Sequence, residues 1–363
     1  MPAFVIFFLL TLLLSGVYLC ARFARMLRYH FPKINRWVPW IASVAVVGFM
    51  MRYMVAWGIY TYLVLALFSG DLVEFILTRC RWTFGVKWWK KIWCGGVTGL
   101  ATALALFFIG YQIARNIQTT HYEVTVPKAA GEVSTIRVVL MADAHIGTTI
   151  RAPELDALVA RVNALSPDIV LLAGDIYDDQ TPPALFEHSL ASWQAMDTRH
   201  GVYYVAGNHE LARYAGARMT GILEQMRFAA GVRFLEDSHI LLDNAFYLIG
   251  RNDPALAGRP DIAELTRGLD KTKPILLLEH QPVGLNAAAA AGVDLAFFGH
   301  THGGQIWPFG IAVRHLSKNE MVYGLAQFGT LQAITTSGVG AWKFPMRIGT
   351  KSEIAVIDIV FME

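Results

Sequence analysis

Five apolar runs, each closed by a short polar cluster, constrain the later two thirds of this 363-residue chain. The runs are VVLMAD, IVLLAGD, VYYVAGN, ILLLEH and LAFFGH. The clusters are Asp143 with His145, Gly174-Asp175 with Asp178, Gly207-Asn208-His209-Glu210, Glu279-His280, and Gly299-His300 with His302. Continuous apolar runs of this length read as strands buried on both faces, so each cluster falls where a strand ends and a loop begins. In open α/β sheets ligands bind beyond the carboxyl ends of the strands. Asp143 to Asp175 is 32 residues and Asp175 to Asn208 is 33, about one strand-helix-strand unit, so the first three clusters are expected from neighbouring parallel strands. Residues 153–165 supply an intervening helix, with Pro153 in its first turn and Pro167 past its end. Strands are expected at 136–142, 169–174 and 202–207. Later ones at 240–249, 274–279, 293–299 and 353–361 alternate less regularly with helices and point to a second, mixed sheet packed on the first.

The region before residue 114 is built for a different solvent. The chain is 55% hydrophobic, and the excess lies almost wholly there. Residues 3–20, 37–78 (long enough for two spans, with a turn near Arg52 and Tyr53) and 94–113 predict four transmembrane helices. The division is therefore 1–114 as a membrane domain, 115–134 as a polar connector with a short strand at HYEVTV, and 135–363 as one further domain. The first span has no basic segment before it and no small-residue cleavage site, so it is expected to stay as an anchor. Arg22, Arg25, Arg28, Lys33 and Arg36 lie between spans one and two; Arg79, Arg81, Lys87, Lys90 and Lys91 lie between spans three and four; neither loop holds an acid. The positive-inside rule makes both loops cytoplasmic and the C-terminal domain extracytoplasmic, in a multi-pass protein of the inner membrane. Arg52, at the external turn, and Asp71 and Glu74, three apart on one helix face near the cytoplasmic boundary, are expected to satisfy one another's helices rather than to form an ion path.

Charge and cysteine narrow the function classes. Residues 1–133 hold 13 basic and 4 acidic residues, whereas the rest hold 18 basic and 24 acidic, a net −6. That domain lacks the electropositive footprint of a duplex-binding protein, so nucleic acid is disfavoured as a partner. Cys20, Cys80 and Cys94 all lie at span ends, and no disulfide framework is expected. Neither a G-x-x-x-x-G-K phosphate loop nor a G-x-S-x-G elbow is present.

Two carboxylates, an amide and four imidazoles are about what two adjacent divalent cations require, with one histidine left for proton transfer. In order, D-x-H, G-D-x-x-D, G-N-H-E, H and G-H-x-H resemble the signature of the calcineurin-like metallophosphoesterases over residues 136–363. The four-helix start and the ending SGVG…PMRIGTKSEIAVIDI resemble the membrane-associated bacterial branch of that superfamily. The resemblance implies a four-layer α-β-β-α sandwich. It implies one cation held by Asp143, His145, Asp175 and His302, and another by Asp175, Asn208, His280 and His300, with Asp175 bridging. Asp143 and His145, like His300 and His302, are two apart and in extended backbone would project to one side. By the same resemblance a hydroxide held by the cations attacks phosphorus, His209 is the acid that protonates the leaving group, and Asp178 orients Asn208 or that histidine. Glu210 is expected behind the ligands. The cations are Mn²⁺, Zn²⁺ or Fe²⁺, without distinction.

Arg251 is a candidate for holding a substrate phosphate, or for a salt bridge. Trp307, Phe309, Trp342 and Phe344 form either an apolar rim toward the membrane or ordinary core. His30, His121, His188, His200, His239 and His315 are expected to have no part in the site. The reading that results is a membrane-anchored phosphoesterase acting on phosphodiesters or phosphomonoesters, including lipid-linked ones. The alternative is a transporter or sensor whose phosphoesterase-like domain only binds a phosphorylated ligand.

Overall fold

A computed structural model of the chain describes residues 3–53, 56–211, 216–229 and 231–362. It divides into a helical unit, Met1–Gln112 with Lys343–Met346, and an α/β unit, Ile113–Trp342 with Arg347–Glu363.

The helical unit contains α1 (Ala3–His30), α2 (Val38–Arg52), α3 (Ala56–Arg79), α4 (Thr83–Trp93) and α5 (Val97–Arg115), the last running on into the α/β unit. Pro39 opens α2 in its first turn, where the missing N–H costs no hydrogen bond, and an extended Tyr53 ends it. Where four spans are expected, three stretches among the described residues are long and apolar enough to cross a membrane: Leu9–His30, Gly58–Arg79 and Val97–Arg115. The fourth apolar helix, α2, has 15 residues and rises about 22 Å, short of a hydrocarbon core of about 30 Å. The loop between the last two long spans is itself helical. In α4, Trp89 stacks on Trp93 with ring centroids 5.3 Å apart and donates to the Gly70 carbonyl. Charges inside the unit are partnered: Arg22 Nε lies 3.1 Å from Asp71 Oδ1, Tyr18 donates to Asp71 Oδ2, and Lys90 lies 3.4 Å from Glu74. Asp71 and Glu74 thus face neighbouring helices.

The α/β unit is built on two six-stranded sheets. The first has β1 (Ile117–Val126), β2 (Thr135–Met141), β3 (Ile169–Ala173), β4 (Val202–Val205), β5 (Val232–Phe234) and β12 (Ser352–Phe361), in the order β1-β12-β2-β3-β4-β5. The second has β6 (Ser238–Leu242), β7 (Phe246–Gly250), β8 (Ile275–Leu278), β9 (Leu295–Phe298), β10 (Gly324–Phe328) and β11 (Leu331–Thr335), in the order β10-β11-β9-β8-β7-β6. The runs β2, β3 and β4 are parallel neighbours, as are β8 and β9. The expected single strand at 240–249 is instead a hairpin, β6 to β7, because Asp243 and Asn244 both take positive φ (49° and 53°) in its turn. The stretch expected as a connector is part of the sheet: β1 pairs with β12 over its full length.

Four layers result. Leu140, Leu171, Tyr203, Leu276, Phe297 and Ile357 belong to the apolar layer between the sheets. Outside the first sheet pack α6 (Ala152–Ala164), α7 (Pro183–Gln194) and α9 (Gly216–Ala229); outside the second pack α10 (Ile262–Leu265) and α11 (Leu285–Ala290). Truncating a wholly enclosed side chain such as Phe297 costs about 3–5 kcal/mol, so this layer fixes the spacing of the two sheets and of everything at their carboxyl ends.

Candidate metal centre

The strand ends deliver the side chains. Asp143 and His145 follow β2, Asp175 and Asp178 follow β3, and Asn208, His209 and Glu210 open the short helix α8 (Asn208–Leu211) after β4. His280 follows β8, and His300 and His302 follow β9. Beyond the strands the pairing continues through loop backbone: Asp143 N donates to Gly174 O, His145 N to Asp175 O, and Gly299 N to His280 O.

Among the described residues three groups of donors form within 4.8 Å: Asp143 with His145 and His302, His145 with Asp175 and His209, and Asp175 with His280 and His300. Asp175 Oδ2 lies 3.1 Å from His280 Nε2 and 4.0 Å from both His145 Nε2 and His209 Nε2. His302 Nε2 is 3.5 Å from Asp143 Oδ1, and Asn208 Oδ1 is 3.2 Å from His280 Nε2. Each carboxylate is pinned by one oxygen and presents the other. Asp143 Oδ2 accepts from His300 N, and Asp175 Oδ1 accepts from His209 N, both at 2.8 Å. Two of the atoms turned inward, Asp143 Oδ1 and His145 Nε2, are buried with no hydrogen-bond partner. Orphaned acceptors at the focus of such a donor set fit a cation that would complete them.

The ligand-bearing backbone is strained. Asp143, His145, Asp175, His300 and His302 all have positive φ, between 40° and 71°. The expected extended geometry of the D-x-H and H-x-H pairs is therefore wrong; left-handed residues re-aim these side chains, at roughly 1–3 kcal/mol each. The surrounding loops supply that stabilisation. The Glu210 carboxylate accepts four backbone N–H groups, from Gly207, Asp175, Ile176 and Tyr177, at 2.7–3.0 Å, locking the turns after β3 and β4 together. Gly207 is obligatory in this packing, since a Cβ there would strike the Asp175 carboxylate.

Hydrogen bonds behind the ligands orient the imidazoles. His280 Nδ1 donates to Ala173 O at 2.6 Å, which leaves Nε2 to face Asp175 and Asn208. His145 Nδ1 lies 2.9 Å from Asp178 Oδ2. Asp178 was expected to orient Asn208 or His209; it serves His145 instead, because the loop after β3 lies against the one after β2. Burial works against the charged form of each group here, and the neighbours decide the outcome. Burial pushes Asp143 up to about 6, with His280 acting in the opposite direction, while for Asp175 the imidazoles of His280, His209 and His145 outweigh burial and hold the carboxyl far below its usual range. Burial, reinforced by His280, pushes His300 down to about 3, and burial also lowers His302 and His209. His145 and His280 shift the other way: burial opposes their charged form, but the carboxylates of Asp178, Asp175 and Asp143 around His145, and of Asp175 and Asp143 around His280, outweigh it and raise both, so a cation binding there would displace protons from them.

His209 lies in the same centre, its ring centroid 5.1 Å from that of His145 and 5.3 Å from that of Trp342. Trp342 therefore packs over this histidine. Arg251 is a correction: buried at 7% exposure, it gives Nε and Nη2 to the Pro260 carbonyl and faces Glu279 at 3.6 Å, so no free fork remains for phosphate. Glu279 is also paired with Arg259. Sequence reasoning missed Arg347. Wholly buried, its guanidinium donates to the carbonyls of His302, Ser337 and Gly340, clamping the loop after β9 to the loop after β11. No local pattern marks it, since arginine is rarely enclosed.

Comparison with known proteins agrees with this geometry. The family model of calcineurin-like phosphoesterases matches residues 136–304. An uncharacterized metallophosphoesterase of Campylobacter jejuni is 31% identical over 62% of this chain and 59% of its own length. A Bos taurus transmembrane protein with metallophosphoesterase domain is 28% identical over 65% of this chain and 55% of its own. The chain thus spans less than two thirds of the length of these relatives. Among solved structures, a dimetal phosphatase from Danio rerio is similar over 64% of this chain and 94% of its own, with 14% identity and a TM-score of 0.40. Residues 136–304, with their strand-end aspartates and histidines, match the calcineurin-like phosphoesterase family model, and the chain is similar to metallophosphoesterases over part of their length.

Proposed function

We propose that this chain is a membrane-anchored, dinuclear metal-dependent phosphoesterase that hydrolyses phosphodiester or phosphomonoester groups. The observation that carries the reading is the chain of three donor groups linked through His145 and Asp175, with Asp143 Oδ1 and His145 Nε2 left unpartnered. Asp143, His145, Asp175 and His302 would hold one divalent cation, and Asp175, Asn208, His280 and His300 the other. Bound there, such a pair supplies Lewis-acid stabilisation of phosphoryl charge and lowers the pKa of water.

The chain's own residues do the rest. Asp178 and the Ala173 carbonyl hold His145 and His280 with Nε2 inward, and Glu210 keeps the Asp175 and Asn208 turns in register. His209, beside the ligand Asn208, would hand a proton from Nε2 to the departing alkoxide. Removing such a group typically slows turnover about 10²- to 10⁴-fold. Full-length protein with Mn²⁺ is expected to hydrolyse bis-p-nitrophenyl phosphate, with Asp175→Ala and His209→Ala losing that activity. Equal rates in wild type and both variants would sink the mechanism. A chain carrying no divalent metal after careful purification belongs instead to the ligand-binding alternative.

The α/β unit is placed on the extracytoplasmic face. Two basic loops without acids flank the α2–α3 pair, and both stay cytoplasmic only if α2 crosses despite its 15 residues. A reporter fused after residue 363 that is active only in the cytoplasm would reverse this topology.

A further inference from the structure

Beside the ligand loop lies a cavity of about 330 Å³, lined among others by Gly303, Gly304, Trp307, Ile311, Arg314 and Val322. Two of these glycines directly follow the ligand His302. Gly304, at φ 86°, packs so closely on Gly310 that a Cβ would run into its backbone, so helix α12 (Phe309–Leu316) is held tightly against the ligand loop. None of the eight residues of α12 is buried. Ile311 is 54% exposed, Leu316 39%, and Trp307, just before the helix, 54%. In this wall of the metal-centre loop, apolar surface is followed one turn later by Arg314 and His315. An apolar strip ending in a guanidinium and an imidazole matches an amphiphile with an anionic head; a small polar phosphoester offers nothing for Trp307 and Ile311 to bury. The same chain carries three helices of membrane-crossing length, which keeps amphiphiles within reach.

We propose that this cavity receives part of the hydrocarbon chain of a membrane phospholipid substrate, with Arg314 and His315 against outer oxygens of the same phosphoryl group that is presented at the His302 side of the metal centre. The proposal deepens the phosphoesterase reading and rests on it. Its test uses full-length protein with Mn²⁺ in detergent. Hydrolysis of dioleoyl phosphatidic acid and dioleoyl phosphatidylglycerol in mixed micelles is measured alongside that of bis-p-nitrophenyl phosphate. For Ile311→Glu, and separately Arg314→Gln, the ratio of kcat/KM for a lipid to that for the soluble ester should fall about tenfold or more, the scale of losing one buried apolar side chain or one charged hydrogen bond. Because these residues are on an exposed helix, both variants should fold, which two divalent ions per chain would verify. An unchanged ratio, or a wild type that cleaves the soluble ester and neither lipid, overturns the cavity assignment while leaving the phosphoesterase reading intact. A wild type that cleaves nothing overturns both.

Discussion

Arg22 in the helical unit and Arg347 in the α/β unit are both enclosed, at 2% and 0% exposure, yet they are neutralised differently. Arg22 meets a carboxylate, Asp71, and gives its other donors to the carbonyls of Trp93 and Cys94. Among the described residues Arg347 meets no carboxylate; its acceptors are main-chain carbonyls, with His302 Nδ1 3.4 Å from Nη2, and its Nε has no partner. Burial pushes Arg347 down to about 10, with Asp143 and Glu353 opposing, so it stays protonated at neutral pH. An enclosed cation can be held by one opposite charge or by several oriented dipoles, and the choice decides what it organises. In the first arrangement α1 is stapled to α3 and to the end of α4. In the second, two loops are gathered around a single planar group, and one of those loops carries His302.

That contrast can be broken by substitution. Arg347→Met strands at least three buried carbonyls at about 1–3 kcal/mol apiece before relaxation, so thermal unfolding of the full chain in detergent should reveal a loss of about 3–5 kcal/mol, and elemental analysis should find fewer than two ions. Wild-type stability and metal content would show that the clamp is dispensable. Arg347→Lys keeps the charge but offers a compact ammonium in place of a planar fork; a deficit near 2 kcal/mol in the same melt is expected, and parity with wild type would mean that charge alone matters. Asp71→Asn removes the counter-charge of Arg22 from a site that retains 21% exposure, so about 1–2 kcal/mol is expected, with no change in bound metal. Smallest is Arg25→Gln: this side chain sits 3.9 Å from Asp71 and is 63% exposed, and its melting curve should stay within about 0.5 kcal/mol of wild type.

The unequal legibility of the molecule has physical causes. β2, β3, β4, β8 and β9 could be read because both of their faces are covered, which leaves apolar runs without alternation. β10 could not: it lies at the sheet edge, none of its residues is fully buried, and Leu325 faces outward at 44% exposure. β5, three residues long, is too short to carry a pattern. Which chemistry-bearing residues share one centre was legible from motif order, because a strand end fixes where its next residues go. How they are aimed was not. The left-handed backbone at Asp175 is held by Glu210, that at His302 by Arg347, and that at Asp143 by close contacts with Gly338 and Gly340, all arriving from elsewhere in the chain. The pairing of Asp178 with His145 is equally a product of two loops meeting, and spacing alone could not choose between that histidine and His209.

β12 lies between β1 and β2, with hydrogen bonds to both, although more than two hundred residues separate it from them along the chain. During synthesis the first sheet must therefore wait with an open seam one strand in from its edge while β3 to β11 are made, β1 unable to join the rest until residues 352–361 follow. Closure of the sheet thus depends on a segment translated after every other strand, and a chain cut before residue 352 would lack the strand that ties β1 to β2.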